Sequence, residues 1–266
     1  MPLVQGLNTA FIVSSGRTGT KFMADFFAAN FNDVTSTHEP APDFFAIGTK
    51  KFIEKRPPQR TQQSIFNARA AVIEIAKTTR CSHYIESNPN LVYILSDIDV
   101  VFPESKFVYI VRDPADTVRS MFSKSPDNSG VALFYAATDK RRRLTAKDLE
   151  DDPWHSQWHT FNRFQRICWY WQFANEQAIK FCLDNPRCLT VKYEDIFGSN
   201  SVNTLDQITH FLGLQSQQKG TFSKESTRER KNTNPEVLLE KIDKWSQEQK
   251  RQFNNILGNT RNKLGY

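Results

Sequence analysis

Residues 11–27 read FIVSSGRTGTKFMADFF, and the stretch changes character twice. A β-branched and aromatic run ends at Val13, small and polar residues follow to Gly19, and an apolar pattern resumes at Phe22. That is the punctuation of a strand, a tight turn and a helix. Residues 106–123, KFVYIVRDPADTVRSMFS, repeat the organisation with proline in place of the glycines. Each turn carries an arginine, Arg17 in the first and Arg112 in the second. The pair predicts a ligand with two separate anionic ends.

A helix N-terminus offers unpaired backbone N–H groups and a partial positive charge, so a turn feeding one can hold a phosphate or sulfate. In the first turn Gly16 and Gly19 let the backbone approach closely, Thr18 and Thr20 add hydroxyls, and Arg17 adds a permanent charge. The nucleoside-triphosphate pattern GxxxxGK[ST] is excluded here. Ser14 stands five residues before Gly19, Thr20 follows it, and Phe22 follows Lys21. In the second turn Pro114 suits a first helical position and Asp113 is placed to cap the helix. Ser120 lies eight residues after Arg112, in the second helical turn, where its hydroxyl and the arginine can join on one anion. A charge-assisted contact of that kind contributes roughly 1.5–3 kcal/mol.

The composition supports a folded enzyme-sized chain. Its 266 residues are 39% hydrophobic and 12% aromatic, with 21 Phe, enough for a sizeable core and too apolar for wholesale disorder. The net charge of +6 suits anionic ligands without naming one. Cys81, Cys168, Cys182 and Cys188 show no CxxC spacing, which favours reduced thiols. The N-terminal residues lack a basic segment and a long apolar run, so a cytoplasmic protein with no membrane partner is expected.

Strands are expected near Ala10–Ser14, Asp33–Thr37, His83–Glu86, Lys106–Val111 and Cys188–Lys192, with helices over Gln62–Lys77 and Phe161–Leu183. In the first of these helices Ile65, Ala68, Val72, Ile75 and Ala76 supply the apolar spacing. Strands alternating with helices predict an α/β fold, a central parallel sheet flanked by helices, as one domain over residues 1–266. Residues 125–160 break the rhythm with SPDNSG, RRR and EDDP and read either as a lid or as a solvated insertion. Residues 219–234 form a basic loop, and a terminal helix is expected over 235–257.

Three segments together resemble the sulfotransferases that use 3′-phosphoadenosine-5′-phosphosulfate (PAPS) and release adenosine 3′,5′-bisphosphate (PAP). GRTGTKF is similar to their 5′-phosphosulfate loop, IVRDPADTVRS to their 3′-phosphate motif, and LTVKYEDIFGSNSVNTLDQITHFLGL, residues 189–214, to their late strand and the helix after it. The order and spacing of all three agree. The resemblance implies a P-loop-like sulfotransferase fold, PAPS as sulfonate donor and no metal. It places Ser15, Gly16, Arg17, Thr18, Gly19, Thr20 and Lys21 around the 5′ end, with Phe22 packed beneath. Arg112, Ser120 and Tyr193, joined by Arg230, Lys231 and Asn232 of the basic loop, fall around the rest of the nucleotide. Arg17 stands where the family has the lysine or arginine that contacts the transferring sulfonate. An arginine there acts electrostatically, because it does not give up its proton.

An acceptor hydroxyl needs a general base. Several sulfotransferase branches use a glutamate just after the second strand, where Glu39 stands beside His38. The cytosolic small-molecule branch uses a histidine before the 3′-phosphate strand, where this chain has Glu86, Ser87 and Asn88 instead. The candidates are therefore Glu39, Glu86 and His38, in that order. Trp154, His155 and Trp158, in WHSQWH, together with Asn88 are the expected acceptor contacts, through stacking and polar groups. His155 and His159 have helical metal spacing but no third ligand. Trp169 to Trp171 reads as core packing. The reading is a sulfotransferase acting on a small molecule such as a natural product. A carbohydrate sulfotransferase is the nearer alternative, a nucleotide-dependent phosphotransferase the more distant one. A nucleic-acid partner is not expected, because the arginines sit at two strand ends and not along one surface.

Overall fold

The computed structural model describes residues 6–123, 134–214 and 238–266. Five strands, β1 (Asn8–Val13), β2 (Val34–His38), β3 (His83–Ser87), β4 (Lys106–Val111) and β5 (Cys188–Lys192), make one parallel sheet in the order β2-β3-β1-β4-β5. Each begins and ends within two residues of its expected position.

Parallel strands need helical crossovers, and those crossovers cover both faces of the sheet. Strand alternation sorts the buried side chains into two cores. Phe11, Val13, Tyr84, Phe107, Tyr109 and Val111 face one; Ala10, Ile12, Ile85, Val108 and Ile110 face the other. The second core is closed by α1 (Thr20–Asn30), α7 (Tyr193–Phe197) and α8 (Ser201–Leu212). The first is closed by α2 (Phe44–Ile53), α3 (Pro58–Thr78), α4 (Leu95–Val101), α5 (Pro114–Phe122), α6 (Arg163–Cys182) and α9 (Gln247–Leu257). A last short helix, α10, spans Thr260–Lys263.

Strand order reverses at β1, which has β3 on one side and β4, next in sequence after β3, on the other. In open α/β sheets the crevice at the carboxyl ends of the strands, at such a reversal, is the place for a ligand. The two arginine turns follow β1 and β4, so both open into that crevice.

Three expectations are corrected by packing. The stripe of α3 buries Ile65, Ala68, Arg69, Ile73 and Ala76, whereas Ile75 is 58% exposed. The terminal helix α9 starts only at Gln247, where Ser246 and Gln249 cap each other reciprocally. Trp158, expected to face an acceptor, is buried in the first core. Its indole meets Trp169 edge-on at 5.0 Å, Tyr135 at 5.8 Å and Phe161 at 5.6 Å. Trp154 is half-buried and tilts against Phe161 at 5.3 Å. Residues 169–171 are core, as expected. Among the described residues no helix is long and apolar enough to cross a membrane.

Removing a buried indole leaves a cavity, so Trp158→Ala is expected to lower stability by about 3–5 kcal/mol, read as a lower melting temperature. An unchanged melting temperature with a raised KM for acceptor would return Trp158 to the acceptor site.

Candidate active site

The turn after β1 is built on three left-handed residues, Gly16 (φ 89°), Arg17 (φ 59°) and Gly19 (φ 78°). Ser14 Oγ accepts the Gly16 N–H at 3.0 Å and tightens the bend. A Cβ on Gly19 would lie 2.6 Å from the Phe197 ring, so only glycine fits there. No side chain caps α1, and its first turn holds no acidic residue, which leaves its positive end to the turn. Thr18 Oγ1 is buried without a hydrogen-bond partner. Orphaned hydroxyls of this kind need an explanation, and an anion cradled by the turn supplies one. Ser15 and Thr20 are buried, and Phe22 packs beneath, 4.9 Å from Phe197. Lys21 is exposed and pairs with Asp25 at 3.5 Å.

The turn after β4 is built differently. Asp113 caps α5 as expected, accepting the Asp116 N–H at 2.8 Å, and Glu194 Oε1 accepts the Asp113 N–H at 3.0 Å. The chain's own carboxylates thus occupy this helix N-terminus, which leaves the Arg112 side chain as the candidate anion contact of this turn. Arg112 Nη1 donates to the Arg17 carbonyl at 2.7 Å, and its guanidinium lies 4.2 Å from the centre of the Tyr193 ring. Its Nε is buried without a partner. Ser120 Oγ accepts from Arg17 Nε at 3.0 Å, so the serine engages the arginine of the other turn. Burial, and then the nearby Arg112 cation, pulls the proton affinity of Arg17 below the ordinary arginine value, with Tyr193 acting in the opposite sense.

Beside this crevice, β2 ends at His38 and delivers Glu39. The Glu39 N–H donates to the Ser87 carbonyl at 3.1 Å. His38 Nδ1 lies 3.0 Å from the same oxygen, which assigns its proton to Nδ1 and leaves Nε2, 3.5 Å from Glu39 Oε1, with a lone pair. Glu39 has φ 45°, a left-handed conformation that costs a glutamate about 1–3 kcal/mol unless its surroundings impose it. Burial, reinforced by Asp43 and Glu86 and opposed by Arg141, pushes the Glu39 carboxyl up to about 7. Burial pushes His38 down.

Glu86 is engaged elsewhere. It is fully buried, with Arg69 Nε at 2.5 Å and Nη2 at 2.8 Å, and it also accepts from Tyr84 Oη and Asn88 Nδ2, each at 2.9 Å. With four donors on two oxygens it has no capacity left for an acceptor proton. Asn88 is likewise buried, its Oδ1 taken by the Asn90 N–H at 2.9 Å. The structure therefore corrects both expectations: Glu86 and Asn88 belong to an internal network. Arg69 was missed in the sequence. The signal for it was an acid, Glu86, within the strand HYIES, which needs a compensating cation when the strand is buried.

His155 Nδ1 lies 2.9 Å from the Leu149 carbonyl, and His159 is exposed. No group of three or more His, Cys, Asp or Glu among the described residues is arranged for a metal. Arg230, Lys231 and Asn232 lie outside the described residues.

A profile described as the sulfotransferase family matches residues 10–218. The chain belongs to the sulfotransferase family. Solved sulfotransferases share its fold. One from Alicyclobacillus acidocaldarius is 13% identical, with a TM-score of 0.54, covering 97% of this chain and 94% of that one. Mouse sulfotransferase SULT7A1 complexed with PAP is 17% identical, with a TM-score of 0.52, covering 96% and 85%. A sulfotransferase domain from the curacin biosynthetic pathway is 15% identical, with a TM-score of 0.50, covering 85% and 79%. No curated protein sequence matches the chain.

A carboxyl held at about 7 in the folded protein and near 4.5 in the unfolded chain binds more protons when folded between those values. Its ionisation therefore lowers stability as pH rises through that window. Glu39→Gln, which does not ionise, is expected to melt higher than wild type at about pH 8 and almost level with it below about pH 5. A gap independent of pH in thermal melts would show that Glu39 is not perturbed.

Proposed function

We propose that this sulfotransferase takes its sulfonate from PAPS and passes it to a hydroxyl or amine of a small-molecule acceptor. The reading is carried by the two arginine turns, which open from adjacent strands into one crevice and differ in construction. One presents an uncapped helix N-terminus and an orphaned hydroxyl. The other presents a stacked guanidinium with a free Nε. That pair suits a nucleotide with a sulfated 5′-phosphate and a separate 3′-phosphate. When bound, PAPS supplies a sulfonate activated by a phosphate leaving group.

The chain's own residues do the rest. Ser15, Gly16, Thr18, Gly19 and Thr20 would cradle the 5′ end, with Lys21 at the rim. Arg17 is fixed where negative charge grows during transfer, so it stabilises the transition state more than the ground state. Arg112, Ser120 and Tyr193 would hold the 3′ end, with Arg230, Lys231 and Asn232 of the 219–234 loop closing over it. Glu39 takes the acceptor proton, its raised pKa making it a stronger base than an ordinary carboxylate. The His38 Nε2 lone pair faces Glu39 Oε1 and would accept from the carboxyl once it has taken the proton. We assign residues 1–266 to one cytoplasmic domain, in which the insertion that includes Leu144, Ala146 and Trp158 is packed into the first core. The four free cysteines and the neighbour from a biosynthetic pathway support a small-molecule acceptor over a carbohydrate.

Calorimetry is expected to show PAP binding without metal and no competition from ATP with magnesium. Arg112→Ala should weaken PAP by roughly 10- to 100-fold. Tight binding of ATP with magnesium instead would favour phosphotransfer. For the base, kcat/KM should rise with pH through about 7, because only ionised Glu39 accepts a proton. Glu39→Gln should remove about 10²–10⁴-fold of the rate. Transfer of labelled sulfate to polysaccharide but to no small molecule would overturn the acceptor class.

A further inference from the structure

Arg69 is fully buried in the middle of α3, a cation that neither turn nor the proposed transfer chemistry uses. Its Nη1 donates to the Pro42 carbonyl at 2.8 Å and to the Ala68 carbonyl at 3.1 Å, while Nε and Nη2 grip Glu86. The guanidinium lies 3.5 Å from the centre of the Phe44 ring. Pro42 belongs to the short loop, residues 39–43, that follows β2 and carries Glu39 at its start.

The same loop is held at its far end. Asn88, bonded to Glu86, accepts the Asn90 N–H, and Asn90 Nδ2 reaches Asp43 Oδ1 at 3.2 Å. Arg69, Glu86, Asn88, Asn90 and Asp43 thus form a ring of hydrogen bonds that closes on residues 42 and 43. At the near end the Glu39 N–H is fixed on Ser87. The loop has no freedom to relax the left-handed Glu39, and the one cation in the ring is the piece that joins helix, strand and loop.

We infer that Arg69 is a positioning residue for Glu39, fixing the loop that presents this carboxylate to the crevice by anchoring it to Glu86 on the neighbouring strand. The inference rests on Glu39 being the general base. The charged and titratable groups around Glu39 are His38, Asp43, Arg141, Glu86 and Tyr170. Arg69 acts on it through Pro42 and through Glu86, whose charge it balances.

Arg69→Lys keeps the charge but cannot span both Glu86 oxygens and the Pro42 carbonyl. It is expected to lower kcat by about 100-fold, the scale of a loop displaced by about 1 Å, while PAP affinity from calorimetry stays at the wild-type value. Glu86→Gln leaves the Arg69 cation without its counter-charge. It also removes one of the two oxygens that grip Arg69, so a part of the same kcat loss is expected, smaller than that of Glu39→Gln, with the acid limb of kcat/KM moved below that of wild type. Wild-type kcat and an unmoved acid limb in Arg69→Lys would overturn the inference. So would a Glu86→Gln protein as inactive as Glu39→Gln, which would make Glu86 the base.

An active Glu39→Gln protein would instead remove the base reading itself, and the inference with it. If the single variants do not fold, the double variant Arg69→Met/Glu86→Met replaces the buried pair with apolar volume, a change that cores often accept. It lacks the Pro42 anchor and is expected to show the same loss of kcat with PAP binding intact; full turnover would overturn the inference.

Discussion

The pairing of β1 with β4 is the constraint on which the site depends. It brings two turns that are almost a hundred residues apart in sequence to one crevice, and with them two guanidinium groups linked through the Arg17 carbonyl. Burial, and then the nearby Arg112 cation, lowers the proton affinity of Arg17. Ser120 and Tyr193 hold the pair in place: one accepts from Arg17, the other underlies Arg112. Two guanidinium groups brought to one crevice by strand pairing make a site whose local field favours an anion.

The two turns solve the same problem in different ways. At the first, glycines with positive φ and an uncapped α1 leave backbone N–H groups and a helix dipole for the ligand. At the second, Asp113 and Glu194 already satisfy the N-terminus of α5, so backbone recognition is closed off and a planar, fixed cation takes over. A backbone cradle suits a group whose charge changes during reaction, since its donors need no rearrangement. A bidentate arginine suits a group that stays a phosphate throughout.

Much of this was legible in the sequence, and the failures share one cause. The central strands β1 and β4 were readable because strands covered on both faces are near-continuous apolar runs bounded by turn residues, while β2, β3 and β5 were read from shorter, mixed runs between helices. Asp113 was readable as a cap because capping is local. What periodicity does not show is which distant side chain meets which. The interval from Arg112 to Ser120 placed the serine correctly on α5, but its engagement with Arg17 follows from strand pairing. Trp158 beside two histidines looked like a stacking platform until α6 covered it with Trp169. Arg69 was hidden because a helical stripe is counted in apolar residues, and this one includes a cation.

Arg69 also explains how two glutamates at the ends of adjacent strands part company. β2 and β3 are in register so that His38 lies beside Ser87, which places Glu39 and Glu86 near one another. Two neighbouring carboxylates disfavour each other's ionisation, and pairs whose environments diverge commonly take different roles. Here the divergence is produced by geometry. Glu86 receives the buried guanidinium, a phenol and an amide, and is spent holding the sheet to α3. Glu39 is partly buried, lies beside a histidine lone pair and feels the repulsion of Asp43 and Glu86 against the attraction of Arg141, so its proton binds more tightly. The ion pair that occupies Glu86 is thus the same feature that leaves Glu39 as the carboxylate proposed for the base.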